Sequence, residues 1–343
     1  MALEWFDGFE DYNSTFPIYN NPRYAASGTT WDTVVTYQVD GRFSDSKAYS
    51  LSGAGSPQLI YYNNPNTEFA AAISRTMSTR NDPTSSSYNL DGFAFSDGTA
   101  TNDLCVAIKA NGSIQVSRGS NPTTNILGTS ATGLVAAGVW FHMGVEVVRH
   151  ATTGSVNVYI DGVQVLALTN VNTGATEVTQ TRICKMNSSA VFDDFYFCDE
   201  ASWFGECRCS PRTVTADTTQ KDFAPSTGSD NYACVDEVPA VTTDYVSSTT
   251  PGAVDLYETS DLPFNPLSVL GVKVTLVAAK DDITTRTYRG KVKSGGTVAN
   301  GSTKSASSSY AITSDVFDKD PNTGSAWVKS GLDALQIGVE VVA

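Results

Sequence analysis

Between residues 156 and 165 the chain alternates apolar and polar positions and turns back on itself once. Val156, Val158 and Ile160 alternate with Asn157 and Tyr159. Asp161-Gly162 follows, and Val163 and Val165 restart the alternation. Residues two apart share one face of a strand. An Asp-Gly pair supplies the φ > 0 positions of a two-residue hairpin turn. The same pattern recurs along the chain. Leu59-Ile60-Tyr61-Tyr62 stops at Asn63-Asn64-Pro65, and Leu104–Ile108 stops at Asn111-Gly112 before Ile114 and Val116. Trp31 to Val39 and Trp140 to Val148 read as further strands, as do the alternating sets Val272, Val274, Leu276 and Leu335, Ile337, Val339, Val341. Helical periodicity of useful length is missing. Many short strands with turn signals between them predict an all-β sandwich or jelly roll.

The alternation stops near residue 200. Cys207-Arg208-Cys209-Ser210-Pro211 and a Thr-rich stretch predict a connector over 201–221. It would join a domain at 1–200 to a second β-sandwich at 222–343, and 343 residues suit two domains. Hydrophobic residues make up 41% and charged residues 17%, which is enough apolar material for a core and too little charge for disorder.

The net charge of −14 would repel a phosphate backbone and an anionic bilayer, so neither nucleic acid nor membrane insertion is expected. No run approaches the roughly 20 apolar residues of a membrane-spanning helix. The start Met1-Ala2-Leu3-Glu4-Trp5 has no basic region or apolar stretch, so no signal peptide is expected and the chain is placed in a cytoplasm during folding. Six cysteines, at 105, 184, 198, 207, 209 and 234, form no Cys-x-x-Cys, and the two histidines, His142 and His150, have no ligand-like neighbours. Ordinary reduced thiols and no zinc site are expected.

Three strings carry a resemblance: Leu3-Glu4-Trp5-Phe6-Asp7-Gly8-Phe9-Glu10-Asp11-Tyr12, the strand and turn at 156–162, and Phe192-Asp193-Asp194-Phe195-Tyr196-Phe197. Over residues 1–200 the chain resembles the concanavalin A-like (laminin G-like) jelly rolls, above all the version carried by tailed-bacteriophage virion proteins. Over 222–343, Asn231-Tyr232-Ala233, Asp255-Leu256-Tyr257, Ser294-Gly295-Gly296 and Asp320-Pro321 leading to Trp327 are similar to a module recurring in phage structural proteins. The two resemblances together imply a non-enzymatic structural component of a virion: a tail-tip, fibre or baseplate accessory displaying a lectin-like domain to host-surface glycan. A capsid decoration protein or head fibre is the alternative placement. A free carbohydrate-binding protein or glycan hydrolase is the alternative from another class. The implied partners are other virion proteins, further copies of the chain and a host glycan.

Candidate chemistry is sparse. Hydrolysis of a glycoside needs two carboxylates facing one sugar. Glu4, Asp7 and Glu10 are spaced by three, which puts Glu4 and Asp7 on opposite faces of a strand, and the packing of Phe6, Phe9 and Tyr12 would leave the acids solvated. Some concanavalin-like proteins hold Ca²⁺ with loop carboxylates. Asp161, Asp193 and Asp194 are the candidates here, with Asp97 and Asp103 as further donors. No other cofactor is implied. Asp318-x-Asp320-x-Asn322 starts like a calcium loop but has Thr323 and Lys329 where Gly and Glu are needed, so it reads as a turn. Tyr61, Tyr62, Asn63 and Asn64 form a candidate sugar patch, since apolar sugar faces pack on aromatic rings.

Overall fold

The computed structural model describes residues 3–27, 35–51, 58–85, 88–99, 103–186 and 189–343, so Trp31 lies outside the described residues. The protein is all-β, as its alternation predicts, and its first unit is a jelly-roll sandwich. Two compact units form, Met1–Glu10 with Arg23–Cys209, and Asp11–Pro22 with Ser210–Ala343.

The strands of the first unit are, in chain order, β1 (Leu3–Asp7), β2 (Tyr24–Ser27), β3 (Val35–Asp40), β4 (Lys47–Leu51) and β5 (Gln58–Asn66). Next come β6 (Glu68–Met77), β7 (Asp91–Ser96), β8 (Leu104–Ile108), β9 (Ile114–Arg118) and β10 (Ile126–Thr129). The last are β11 (Phe141–Val148), β12 (Gly154–Ile160), β13 (Val163–Val171), β14 (Val178–Cys184) and β15 (Ala190–Cys198). One sheet runs β13-β12-β11-β6-β15-β4-β3, with β1 also on β15; the other runs β10-β9-β8-β7-β14-β5-β2. The β12–β13 hairpin turns where the sequence predicts, with Asp161 at φ 47° and Gly162 at φ 82°.

Aromatic rings from both sheets meet in the core. Phe69 of β6 lies 4.8 Å from Phe95 of β7 and stacks on Phe197 of β15 at 5.5 Å. Tyr61 of β5 meets Phe195 at 5.4 Å. Such pairs contribute about 0.5–1.5 kcal/mol each beyond the area they bury. The opening string feeds the same core through Trp5, whose Nε1 donates to Tyr24 at 2.9 Å. Its acids, however, do not stay in water. Asp7 and Glu10 are buried, and Phe6 is only half-buried. Asp7 accepts from the Phe9 amide at 2.9 Å and the Tyr24 hydroxyl at 3.1 Å, so it braces the turn after β1.

The second unit continues with β16 (Val214–Lys221), β17 (Ala224–Pro225), β18 (Val246–Ser247), β19 (Val254–Thr259) and β20 (Val272–Ala278). It ends with β21 (Thr287–Ser294), β22 (Thr297–Asn300), β23 (Lys304–Ser305), β24 (Ala311–Phe317), a short helix α1 (Lys329–Asp333) and β25 (Gln336–Val341). A six-stranded sheet, β16-β19-β25-β21-β22 with β23 on β21, accompanies the pair β20-β24. Val274 from the pair and Val292 from the larger sheet join Trp327, Leu332 and Leu335 in one apolar cluster. The strings at 231–233 and 255–257 meet in a structural knot. Asp255 accepts from the amides of Asp222 (2.7 Å) and Phe223 (2.9 Å), from Asn231 (2.6 Å) and from Tyr257 (2.9 Å). Asp320 belongs to a turn, and Trp327 donates to the Phe317 carbonyl at 2.8 Å.

The connector expected over 201–221 does not exist as one piece. Its first part, to Cys209, belongs to the first unit and its last part is β16. The apolar side chains there are too few to alternate, so the sequence gives no strand signal. Hydrogen bonds and one tryptophan hold the first part in place instead. Asp11–Pro22 likewise joins the second unit, where Asp11 accepts from Thr275 at 2.8 Å and pairs with Lys273 at 3.3 Å.

Candidate functional site

The pleat of β5 divides the predicted sugar patch in two. Tyr61 and Asn63 are buried, whereas Tyr62 and Asn64 are exposed. The Tyr61 hydroxyl donates to Glu4 at 3.0 Å, and Asn63 donates to the Val178 carbonyl at 2.8 Å. Burial, reinforced by the Glu4 carboxylate, pushes the Tyr61 phenol up. Tyr61 and Asn63 are therefore core and strand-bracing residues, and Tyr62 and Asn64 remain as surface candidates.

Tyr62 brings a set of residues that the sequence reading missed. Cross-strand partners share a face. Tyr62 pairs with Gln180, which pairs with Ser96, and Ile60 pairs with Arg182, which pairs with Ala94. This is the outer face of the seven-stranded sheet, opposite the face that carries Leu59, Phe93, Phe95 and Ile183 into the core. Part of it is covered. Tyr88 and Leu90 pack over Ala94, Cys105, Ala107 and Cys184, and Gln115 donates to the Pro122 carbonyl at 2.6 Å. Tyr62 stays 40% exposed, and Gln180 and Arg182 stay half-buried.

Arg182 is held in one pose. Its Nη1 donates to Gln58 Oε1 at 3.0 Å and its Nη2 to Gln180 Oε1 at 2.7 Å. Its Cζ lies 4.2 Å from the centre of the Tyr88 ring, a cation–π distance. The Tyr88 hydroxyl is in turn engaged by Asp103. The signal for this site was present in β14: Gln180 and Arg182 alternate with Thr181 and Ile183, so the polar pair must face outward.

The calcium candidates sit elsewhere and apart. Asp161 is exposed at its turn and accepts from the His142 amide at 2.8 Å. Asp193 and Asp194 are buried on β15. Asp193 accepts from the Arg42 amide (2.9 Å), Ser46 Oγ (3.0 Å) and the Asp194 amide (2.8 Å). Asp194 accepts from the Cys209 amide (2.7 Å) and Ser74 Oγ (3.2 Å). Each oxygen thus faces an N–H or O–H donor, whereas a hard cation needs oxygens arrayed around it. Among the described residues no group of three or more His, Cys, Asp or Glu is placed to hold a metal ion.

The chain after β15 covers this cluster. Trp203 stacks on Tyr159 at 4.2 Å, and its backbone amide donates to Glu146 at 2.8 Å. Asn157 and Tyr159 also donate to Glu146, at 3.0 and 2.9 Å. Tyr196 donates to the Gly205 carbonyl at 3.0 Å, and Arg42 pairs with Glu206 at 2.7 Å. Underneath, Ser74 Oγ lies 3.1 Å from His142 Nδ1. Burial, then the nearby Arg42 cation, holds the imidazole down to about 3, so it is neutral. Burial and the adjoining Asp193 carboxylate raise Asp194 to about 7.

No family model matches the chain, and no curated protein sequence matches it. Solved structures do. A cellulose-induced protein is 13% identical, with 60% of this chain and all of that one covered, at a TM-score of 0.43. Domain 4 of an extracellular arabinanase from Geobacillus stearothermophilus, solved with arabinotriose, is 14% identical, with 59% and 94% covered, at 0.42. A carbohydrate-binding module from Bacillus subtilis is 13% identical, with 51% and 94% covered, at 0.34. These scores lie below one half, and the functional reading rests on the residues described above.

Proposed function

We propose that the first unit is a non-catalytic glycan-binding domain whose ligand lies on the outer face of the seven-stranded sheet. The observation that carries this reading is the exposed Tyr62 ring beside Gln180 and the clamped Arg182. A ring stacks on the apolar face of a sugar, and amides and guanidinium N–H groups fixed in direction hydrogen-bond its hydroxyls. Hydrolysis has no comparable support. Glu4 and Asp7 lie on opposite faces of β1, as their spacing predicts. In a catalytic triad the imidazole lies between hydroxyl and carboxylate; here Ser74 lies between His142 and Asp194, and all three are buried.

The full-length protein should bind members of a broad glycan array without releasing product. Tyr62→Ala should weaken the best ligand about 2–10-fold, the range of one stacking contact. Gln180→Ala should weaken it as well. Failure to bind any glycan, or binding indifferent to both substitutions, would overturn the reading.

The finer placement, on a tailed-phage particle beside other virion proteins and in several copies, rests on the sequence resemblance alone, and none of the comparisons lends it support. Mass spectrometry of purified particles tests it: a chain recovered only free in the lysate rejects it.

A further inference from the structure

We propose that Arg182 is the anchor for the anionic group of an acidic sugar, a uronate carboxylate or a sugar sulfate, bound on the outer face of the seven-stranded sheet. This rests on the glycan-binding reading above and adds the ligand's charge class.

The argument starts from what Arg182 is not doing. Its two hydrogen-bond partners, Gln58 and Gln180, are neutral amides. Among the described residues it makes no ion pair, whereas Arg23, Arg42, Arg75, Arg208, Arg286 and Arg289 all do. In a chain of net charge −14, carboxylates to pair with are plentiful. Arg182 does not pair with Asp103, whose carboxylate accepts from the Tyr88 hydroxyl. Its Nε is buried and has no hydrogen-bond partner.

The pose supplies the rest. A guanidinium carries five N–H donors in a planar fork. Two are spent on Gln58 and Gln180, and these fix the plane. The Tyr88 ring supports the fork, its centre 4.2 Å from the guanidinium carbon. Holding both long side chains in place beforehand lowers the ordering cost at binding. Nε is buried, so the second hydrogens of Nη1 and Nη2 are the ones left for a ligand, and they match a carboxylate or sulfate, which accepts through parallel charge-assisted hydrogen bonds. Gln180, which clamps the guanidinium, is the cross-strand partner of the exposed Tyr62, so ring and cation are diagonal neighbours across two strands. One sugar residue can therefore stack on Tyr62 and reach Arg182 with its substituent.

The test compares matched pairs by calorimetry with the full-length protein: oligogalacturonate against its neutral methyl ester, and dextran sulfate against dextran. At least one acidic member should bind tenfold or more tighter than its neutral counterpart, and the pair that shows it tells carboxylate from sulfate. Arg182→Gln should abolish the difference between acidic and neutral members, whatever it costs both through the lost hydrogen bonds to sugar hydroxyls. Arg182→Lys keeps the charge but not the fork, and should retain part of the preference. Circular dichroism checks folding of both variants, and the Lys variant serves if the Gln variant does not fold. Equal affinity for acidic and neutral members, or a preference that survives Arg182→Gln, overturns this inference and leaves glycan binding standing. Failure of every glycan to bind, here and on the array, overturns both.

Discussion

Asp194 and His142 sit about one serine apart and titrate in opposite senses. An unfolded aspartate titrates near 3.9, whereas the folded chain keeps a proton on Asp194 up to about 7, because burial and Asp193 disfavour the charge. Its stabilising contribution is complete below about pH 4 and is lost as pH rises to about 7. His142 has the reverse sign. Unfolded histidine titrates near 6.5, and burial holds the folded group to about 3. Its contribution is present above about pH 6.5 and is lost as pH falls toward 3. The two slopes oppose each other between about pH 4 and 6.5 and mask one another in a whole-protein profile. Asp194→Asn separates them: asparagine tolerates the positive φ of 51° and can still accept from the Cys209 amide. The thermal midpoint of the variant minus that of the wild type should climb from pH 4 to 7 and stay level above. A constant difference would show that Asp194 is ionised throughout. Since donors already occupy the oxygens of Asp193 and Asp194, adding Ca²⁺ or EDTA should leave the wild-type midpoint in place. A saturable rise with Ca²⁺ would contradict that arrangement.

At the level of elements, the covering segment and the Asp255 knot hold the irregular parts of the two units. Gly144 lies directly below Trp203, and a Cβ there would collide with the indole Nε1. Gly144→Ala should displace Trp203 from Tyr159 and cost about 1–3 kcal/mol, typical of overpacking. Urea unfolding measures the cost, and near-ultraviolet circular dichroism reports the loss of the stacked pair. In the second unit, Asp255→Ala leaves the Phe223 amide, Asn231 and Tyr257 without this acceptor, while the Asp222 amide keeps the Val254 carbonyl at 3.2 Å. Each buried donor left unmatched costs about 1–3 kcal/mol, so a loss of about 3 kcal/mol or more is expected. Hydrogen exchange at the Phe223 amide should speed up. Unchanged protection there would mean that the knot does not brace this stretch.

Across the whole molecule, charge decides what can approach. A net charge of −14 should keep duplex DNA off even at low salt, and fluorescence anisotropy should show no saturable binding. The same charge makes any preference for an acidic glycan a local effect around Arg182, working against the long-range field. Raising the salt screens both, and the preference should shrink as the Debye length falls below about 10 Å.

Strands, turns and the all-β class were legible in the sequence because alternation with period two and an Asp-Gly turn are local properties of the chain. The 161–162 hairpin follows from them; of the rings expected to pack in the opening string, Phe9 and Tyr12 are buried and Phe6 is half-buried. The same periodicity, applied to β5, already separates Tyr61 and Asn63 from Tyr62 and Asn64. What local pattern could not carry is which strands become neighbours. β14 lies between β5 and β7, far from both in sequence, and that placement alone brings Gln58 to Arg182 and Tyr62 beside Gln180. Segment 201–209 showed no alternation, since its hold depends on Glu146, Tyr159, Tyr196 and Arg42, residues distant in sequence that only tertiary packing gathers. The acids of the opening string were misjudged for the same reason. A carboxylate is solvated or buried according to the donors brought to it, and the Tyr24 hydroxyl reaches Asp7 only once β2 has folded into place.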